Sequence, residues 1–135
     1  MKNQSRSNVP NPDYVQVVNP IMKVASVEEM EEYLDFDVPL LERDVNSYIV
    51  MVIDGYPESA RIIYSDNSVF NMKYGKGDIS GVYGGVLEKK ADIGGISVSV
   101  FVYDNIRYAT WEKDGFTFSL YGSESLEADI AALMK

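Results

Sequence analysis

Between Val86 and Tyr121 the chain is written as four apolar and aromatic runs of strand length, separated by Gly94-Gly95, Asp104-Asn105 and Asp114-Gly115. Two-residue breaks of that kind are the signals of tight hairpins, so this stretch predicts an antiparallel meander. Upstream, Tyr48 to Ile53 is an unbroken apolar run rich in β-branched residues and closed by Asp54-Gly55, which predicts a central strand covered on both faces. Ala60 to Tyr64 and Ser68 to Lys73 predict two further strands with Ser65-Asp66-Asn67 as their turn. Tyr14 to Val18 offers a short first strand.

Helical spacing occurs twice. Ser26-Val27-Glu28-Glu29 has the form of a capping box, and Val27, Met30 and Leu34 then share one face, predicting a helix from Val27 to about Asp35. Near the other end Leu126, Ile130, Leu133 and Met134 fall at i, i+4, i+7 and i+8 in a helix opened by Ser123. Such a stripe needs a surface to cover. The architecture expected is α+β: a twisted, curved antiparallel sheet of about seven or eight strands in meander order, with a short N-terminal helix and a C-terminal helix. Residues 1–13 read as a flexible polar tail and 14–135 as a single domain.

Charge narrows the range of partners. Twenty-one acidic residues against 12 basic ones give a formal net charge of -9, which repels a phosphate backbone and argues against nucleic acid. No apolar run reaches the roughly 20 residues of a membrane span. The N-terminus has no hydrophobic region of signal-peptide type, although its Asn, Ser and Pro content resembles a linker that follows such a segment.

Candidate chemistry is sparse. The chain has no histidine and no cysteine, which removes the side chains that most often carry acid–base, thiol and zinc chemistry at neutral pH. The sequence predicts no catalytic residue, no metal ligand and no cofactor. Gly75-Lys76-Gly77-Asp78-Ile79-Ser80-Gly81 lacks the Gly-Lys-Ser/Thr ending and the following helix of a phosphate loop, so a bend, bulge or flap is the better reading. Glu28 to Asp44 holds eight carboxylates against one arginine, but without the glycine and terminal glutamate of a calcium loop it reads as a solvated face. Asp54, Glu88, Asp92 and Glu112 lie in or near strands, which leaves a carboxylate-dependent hydrolase as a third-ranked reading.

Aromatic residues are the strongest compositional signal: ten Tyr, five Phe and one Trp. Tyr64, Phe70, Phe101, Tyr103, Tyr108, Phe116 and Phe118 fall in strands and suit sheet packing. Tyr74 and Tyr83 flank the stretch from Tyr74 to Gly85, where five of twelve residues are glycine, and are the binding candidates because loops over a rigid sheet present function.

Three segments together resemble a bacterial domain-of-unknown-function family found mainly in Firmicutes, often in extracytoplasmic parts of membrane-anchored or anti-sigma-factor-like proteins. They are Asn19-Pro20-Ile21 leading into Ser26-Val27-Glu28-Glu29-Met30, the strand Tyr48 to Ile53, and Thr110 to Leu120 with Trp111 and the Lys113-Asp114-Gly115-Phe116 turn. The resemblance spans about Val17 to Leu133. It implies an α+β domain in the cell envelope or secreted, and it carries over no catalytic residues.

The reading that follows is a non-enzymatic interaction or sensor domain, monomeric or homodimeric, with a protein, peptide or envelope component as partner. A carrier or receptor for a small apolar ligand is the alternative.

Overall fold

The computed structural model describes residues 20–77 and 84–135. The expected tail, the strand at Tyr14 to Val18 and the candidate Tyr83 lie outside the described residues. Within them the chain runs β1 (Ile21–Val24), α1 (Val27–Leu34), β2 (Val45–Ile53), β3 (Tyr56–Tyr64), β4 (Val69–Tyr74), β5 (Val86–Ile93), β6 (Ile96–Tyr103), β7 (Ile106–Lys113), β8 (Phe116–Tyr121) and α2 (Leu126–Leu133).

All eight strands join one open antiparallel sheet in the order β1-β2-β3-β4-β8-β7-β6-β5. The architecture is therefore mostly sheet with two short helices, broadly α+β, as expected. Two four-stranded meanders meet where β4 pairs β8, with Phe70 opposite Leu120 and Met72 opposite Phe118. Four hairpins turn on residue pairs that both have positive φ: Asp54-Gly55, Gly94-Gly95, Asp104-Asn105 and Asp114-Gly115. Two consecutive left-handed residues make a type I′ turn, whose twist suits paired strands, and Asn, Asp and Gly tolerate it best.

The β3–β4 connection uses a side chain instead. Asp66 Oδ1 accepts from the amide of Ser68 at 2.9 Å and from its hydroxyl at 2.6 Å, bending the chain through Asn67.

The run Tyr48 to Ile53 is corrected in one respect. It lies in β2, which sits next to the edge strand β1 rather than at the centre, and only Ile49 and Val50 are fully buried. Towards its hairpin Ile53 is half exposed. The strand β1 itself went unpredicted, because Pro20 and the brevity of Ile21–Val24 masked it. It pairs β2 with Met22 opposite Val50.

Both helices pack on one face of the sheet. The sequence box at α1 forms, with Ser26 Oγ accepting from the Glu29 amide at 3.2 Å and Glu29 reaching back to the Ala25 amide at 2.9 Å. Met30 and Leu34 are buried against the sheet, and Asp35 closes the helix in a left-handed conformation. From α2 the buried residues Leu126, Ile130 and Leu133 face the other half. Between helices and sheet lies one core, in which Val50, Ala60, Ile62, Phe70, Met72, Phe118, Leu120, Ala109, Trp111, Val98 and Val100 supply the sheet side. Trp111 stacks on Phe118 with centroids 5.3 Å apart.

Because strand directions alternate, β5 runs the same way as β4 yet lies beyond three intervening strands, at the far edge. On the face opposite the helices Gly77 is beside Lys73 Nζ and Gly85 is against the Tyr108 ring.

Candidate functional site

Side chains alternate across a strand, so every second residue points away from the helices. Read across the register, these residues form three rows. One is apolar and aromatic: Ile63, Val69, Tyr121, Tyr108, Phe101 and Leu87. The next is polar: Arg61, Asn71, Ser119, Thr110, Ser99 and Lys90. The third contains Ser59, Lys73, Thr117 and Glu112.

The middle of this face is short-chained and buried. Asn71, Thr117 and Ser119 are each at most 5 % exposed although they face away from the helical layer. Buried polar atoms need partners, and these have them. Arg61 Nε donates to Asn71 Oδ1 at 2.9 Å, and Asn71 Nδ2 donates to Ser119 Oγ at 3.3 Å. Thr117 Oγ1 donates to the Gly75 carbonyl. On the aromatic side Phe101 stacks nearly parallel on Tyr108, centroids 5.0 Å apart, and Tyr108 meets Tyr121 at 6.3 Å.

Short side chains beside tall aromatics leave a hollow. A half-open cleft of about 740 Å³ lies here, lined by Gly77, Gly95, Ile96, Ser97, Ser99, Phe101, Tyr108, Thr110, Trp111, Glu112 and Thr117. Its volume falls in the range of about 300–1,000 Å³ usual for ligand sites. Among the described residues hydroxyls dominate its polar lining, Glu112 is the one carboxylate, and the Lys73 ammonium lies beside Gly77 at its margin.

Tyr74 stands at the end of β4 with 70 % of its surface exposed, its ring edge-on to Phe116 at 5.3 Å. It borders a second hollow of about 380 Å³ that shares Thr117 and Glu112 with the first. Tyr74 alternates with the core residues Phe70 and Met72 and packs on Phe116, which in turn meets Phe36, so it stands on the helix side at the end of the sheet and not in the cleft. Of the strand aromatics named from the sequence, Tyr64, Phe70 and Phe118 belong to the core under the helices, whereas Phe101 and Tyr108 face the cleft.

Sequence reasoning missed the hydroxyl row. Its signal was present: Ser97, Ser99, Thr110, Thr117 and Ser119 alternate with core residues on three adjacent strands, where a solvated face would carry longer charged side chains.

The strongest electrostatics lie elsewhere. Arg43 bridges Asp66 at 3.2 Å and Asp129 at 2.6 Å, with its guanidinium 5.8 Å from the Tyr64 ring centroid. Hydrogen bonds from the Ser68 hydroxyl and amide, assisted by Arg43, hold the Asp66 carboxyl below its ordinary range. Burial pushes the Tyr64 phenol up, partly offset by the hydrogen bond its oxygen accepts from the Leu41 amide. At the other end Arg107 and Lys89 both bond Glu127, at 2.7 and 2.9 Å, and lower its carboxyl to about 2. These clusters tie helices and loops to the sheet. Among the described residues no group of three or more acidic side chains is placed to hold a metal ion, and no helix is long and apolar enough to cross a membrane.

No protein-family model matches the chain, and neither does any curated protein or solved structure.

Proposed function

We propose that this chain is a non-enzymatic binding domain, of the interaction or sensor kind, which engages its ligand or partner with the sheet face opposite the helices. The observation that carries the reading is the cleft of about 740 Å³ floored by short polar side chains and walled by the Phe101–Tyr108 stack. A sheet curved around that hollow fits both features. A rigid scaffold with a preformed, partly apolar hollow and a few convergent polar groups is the usual form of a binding site. An extracytoplasmic setting, with an envelope component or a protein as partner, rests on the family resemblance alone.

The rival carrier for a small apolar ligand draws on Phe101, Tyr108 and Leu87. An apolar occupant would strip water from Ser97, Ser99 and Thr110 without replacing its hydrogen bonds, at about 1–3 kcal/mol for each group left unpaired. A hydrolase fares worse. Glu112 and Asp114 both border the smaller hollow, but both are exposed, whereas a carboxyl that donates a proton at neutral pH is kept in a dry pocket.

The test is a nitrogen-15 NMR screen of compound mixtures that are neutral, anionic, cationic and apolar. Amide shifts clustered on β6, β7 and β8 support the reading. Shifts confined to the helices or to the β2–β3 hairpin, or none from any class, reject it.

A further inference from the structure

We propose that the cleft takes a neutral, hydroxyl-rich ligand of saccharide type, an inference that rests on the binding-domain reading above and names its ligand class. Ser97, Ser99 and Thr110 are side by side on β6 and β7, with Ser99 directly opposite Thr110 in the register. Each hydroxyl can donate and accept, which matches a ligand whose own polar groups are hydroxyls of the same dual character. Glu112 adds a charged acceptor, and hydrogen bonds from ligand hydroxyls to a carboxylate are stronger than those between neutral groups.

Two further properties narrow the class. Among the described residues the lining holds the Glu112 carboxylate, and the chain as a whole carries a net charge of -9, so anionic ligands are disfavoured at long range. Lys73 brings one ammonium to the margin beside Gly77, where it can donate to a ligand hydroxyl, and Lys90 stands further off on β5. The apolar lining is mainly aromatic, the half-buried Phe101 stacked on Tyr108, with Ile96 as its aliphatic member. The negative face of an aromatic ring suits the weakly positive C–H groups on one face of a pyranose, while the hydroxyl edge of the sugar meets the serine and threonine row. Aliphatic ligands gain nothing from that row, and anions gain nothing from the wall.

The experiment titrates the intact chain with cellotriose, chitotriose and maltotriose, and in parallel with laurate and with inorganic phosphate, following amide shifts. Saturable shifts at Ser97, Ser99, Phe101, Thr110 and Glu112 with at least one sugar are expected. Ser99→Ala and Thr110→Val, with unchanged melting temperature, should each weaken that binding by about three- to tenfold, the loss expected for one net hydrogen bond. Phe101→Leu should weaken it further. Shifts at these residues with laurate or phosphate and with none of the sugars would overturn the ligand class and leave the binding reading standing. Silence from all five probes overturns the ligand class, and the broader compound screen then decides the binding reading separately. Sugar binding that both hydroxyl variants leave untouched also overturns it.

Discussion

Asp129 keeps only 9 % of its side chain exposed and would be costly in isolation, yet Arg43 meets it at 2.6 Å and the Ser123 hydroxyl donates to its other oxygen. Removing the arginine leaves that carboxylate buried with one neutral partner. Arg43→Met should therefore lower stability by about 2–4 kcal/mol in urea denaturation, and adding Asp129→Asn should restore part of the loss. If the double variant is no more stable than the single one, the pair is not the cause. Glu127 behaves differently because 37 % of its side chain is in water. Its carboxyl is held at about 2 against an ordinary 4.5, so the stability it adds is complete above pH 4.5 and is lost as pH falls towards 2. Screening limits this to less than about 1 kcal/mol. Glu127→Gln should flatten the acid side of the stability profile between those values and change neutral stability little, as thermal melts across pH would report. None of these pairings was legible beforehand, since Arg43 and Asp129 lie 86 residues apart and their spacing has no periodic meaning.

Elements were far more legible than contacts. The turns Asp54-Gly55, Gly94-Gly95, Asp104-Asn105 and Asp114-Gly115 announce themselves because their backbone angles admit few residue types, and the strands between them follow. The helix α1 was equally clear from Ser26 and Glu29. What the pattern hid was pairing order, which depends on the connection between β4 and β5 rather than on any local signal. The cleft was hidden for another reason: the predicted meander already set β6, β7 and β8 side by side, but nothing local shows that the row Ser99, Thr110 and Ser119 borders a hollow instead of a flat solvated face. Just before β5, Gly85 is tight. A Cβ there would lie 2.3 Å from Tyr108 Oη and 2.9 Å from its ring, and the ring is itself stacked on Phe101. Gly85→Ala should cost about 1–3 kcal/mol and move the Phe101 and Tyr108 ring resonances together. Unmoved rings would show that the backbone yields instead.

At the scale of the whole molecule, an open sheet leaves two edges. β1 is short, while β5 offers eight residues interrupted by a bulge between Leu87 and Lys89 and carrying Glu88, Lys89, Lys90 and Asp92. Charges and bulges at an edge discourage pairing with another chain. Replacing Glu88 and Lys90 together by valine should produce concentration-dependent association in sedimentation velocity, and a variant that stays monodisperse at high concentration would show the bulge to be sufficient. The seam between β4 and β8 has a different consequence, concerning the order of events in folding. Apart from the β1–β2 connection, which carries α1, each four-stranded half closes only tight turns, whereas the seam joins Val69–Tyr74 to residues more than forty positions later, so its closure entropy is the largest in the sheet. The halves can thus form early as separate meanders and dock late. A two-residue slip at docking would preserve the apolar alternation, and the buried Asn71–Ser119 hydrogen bond is then what distinguishes the right alignment from its neighbours.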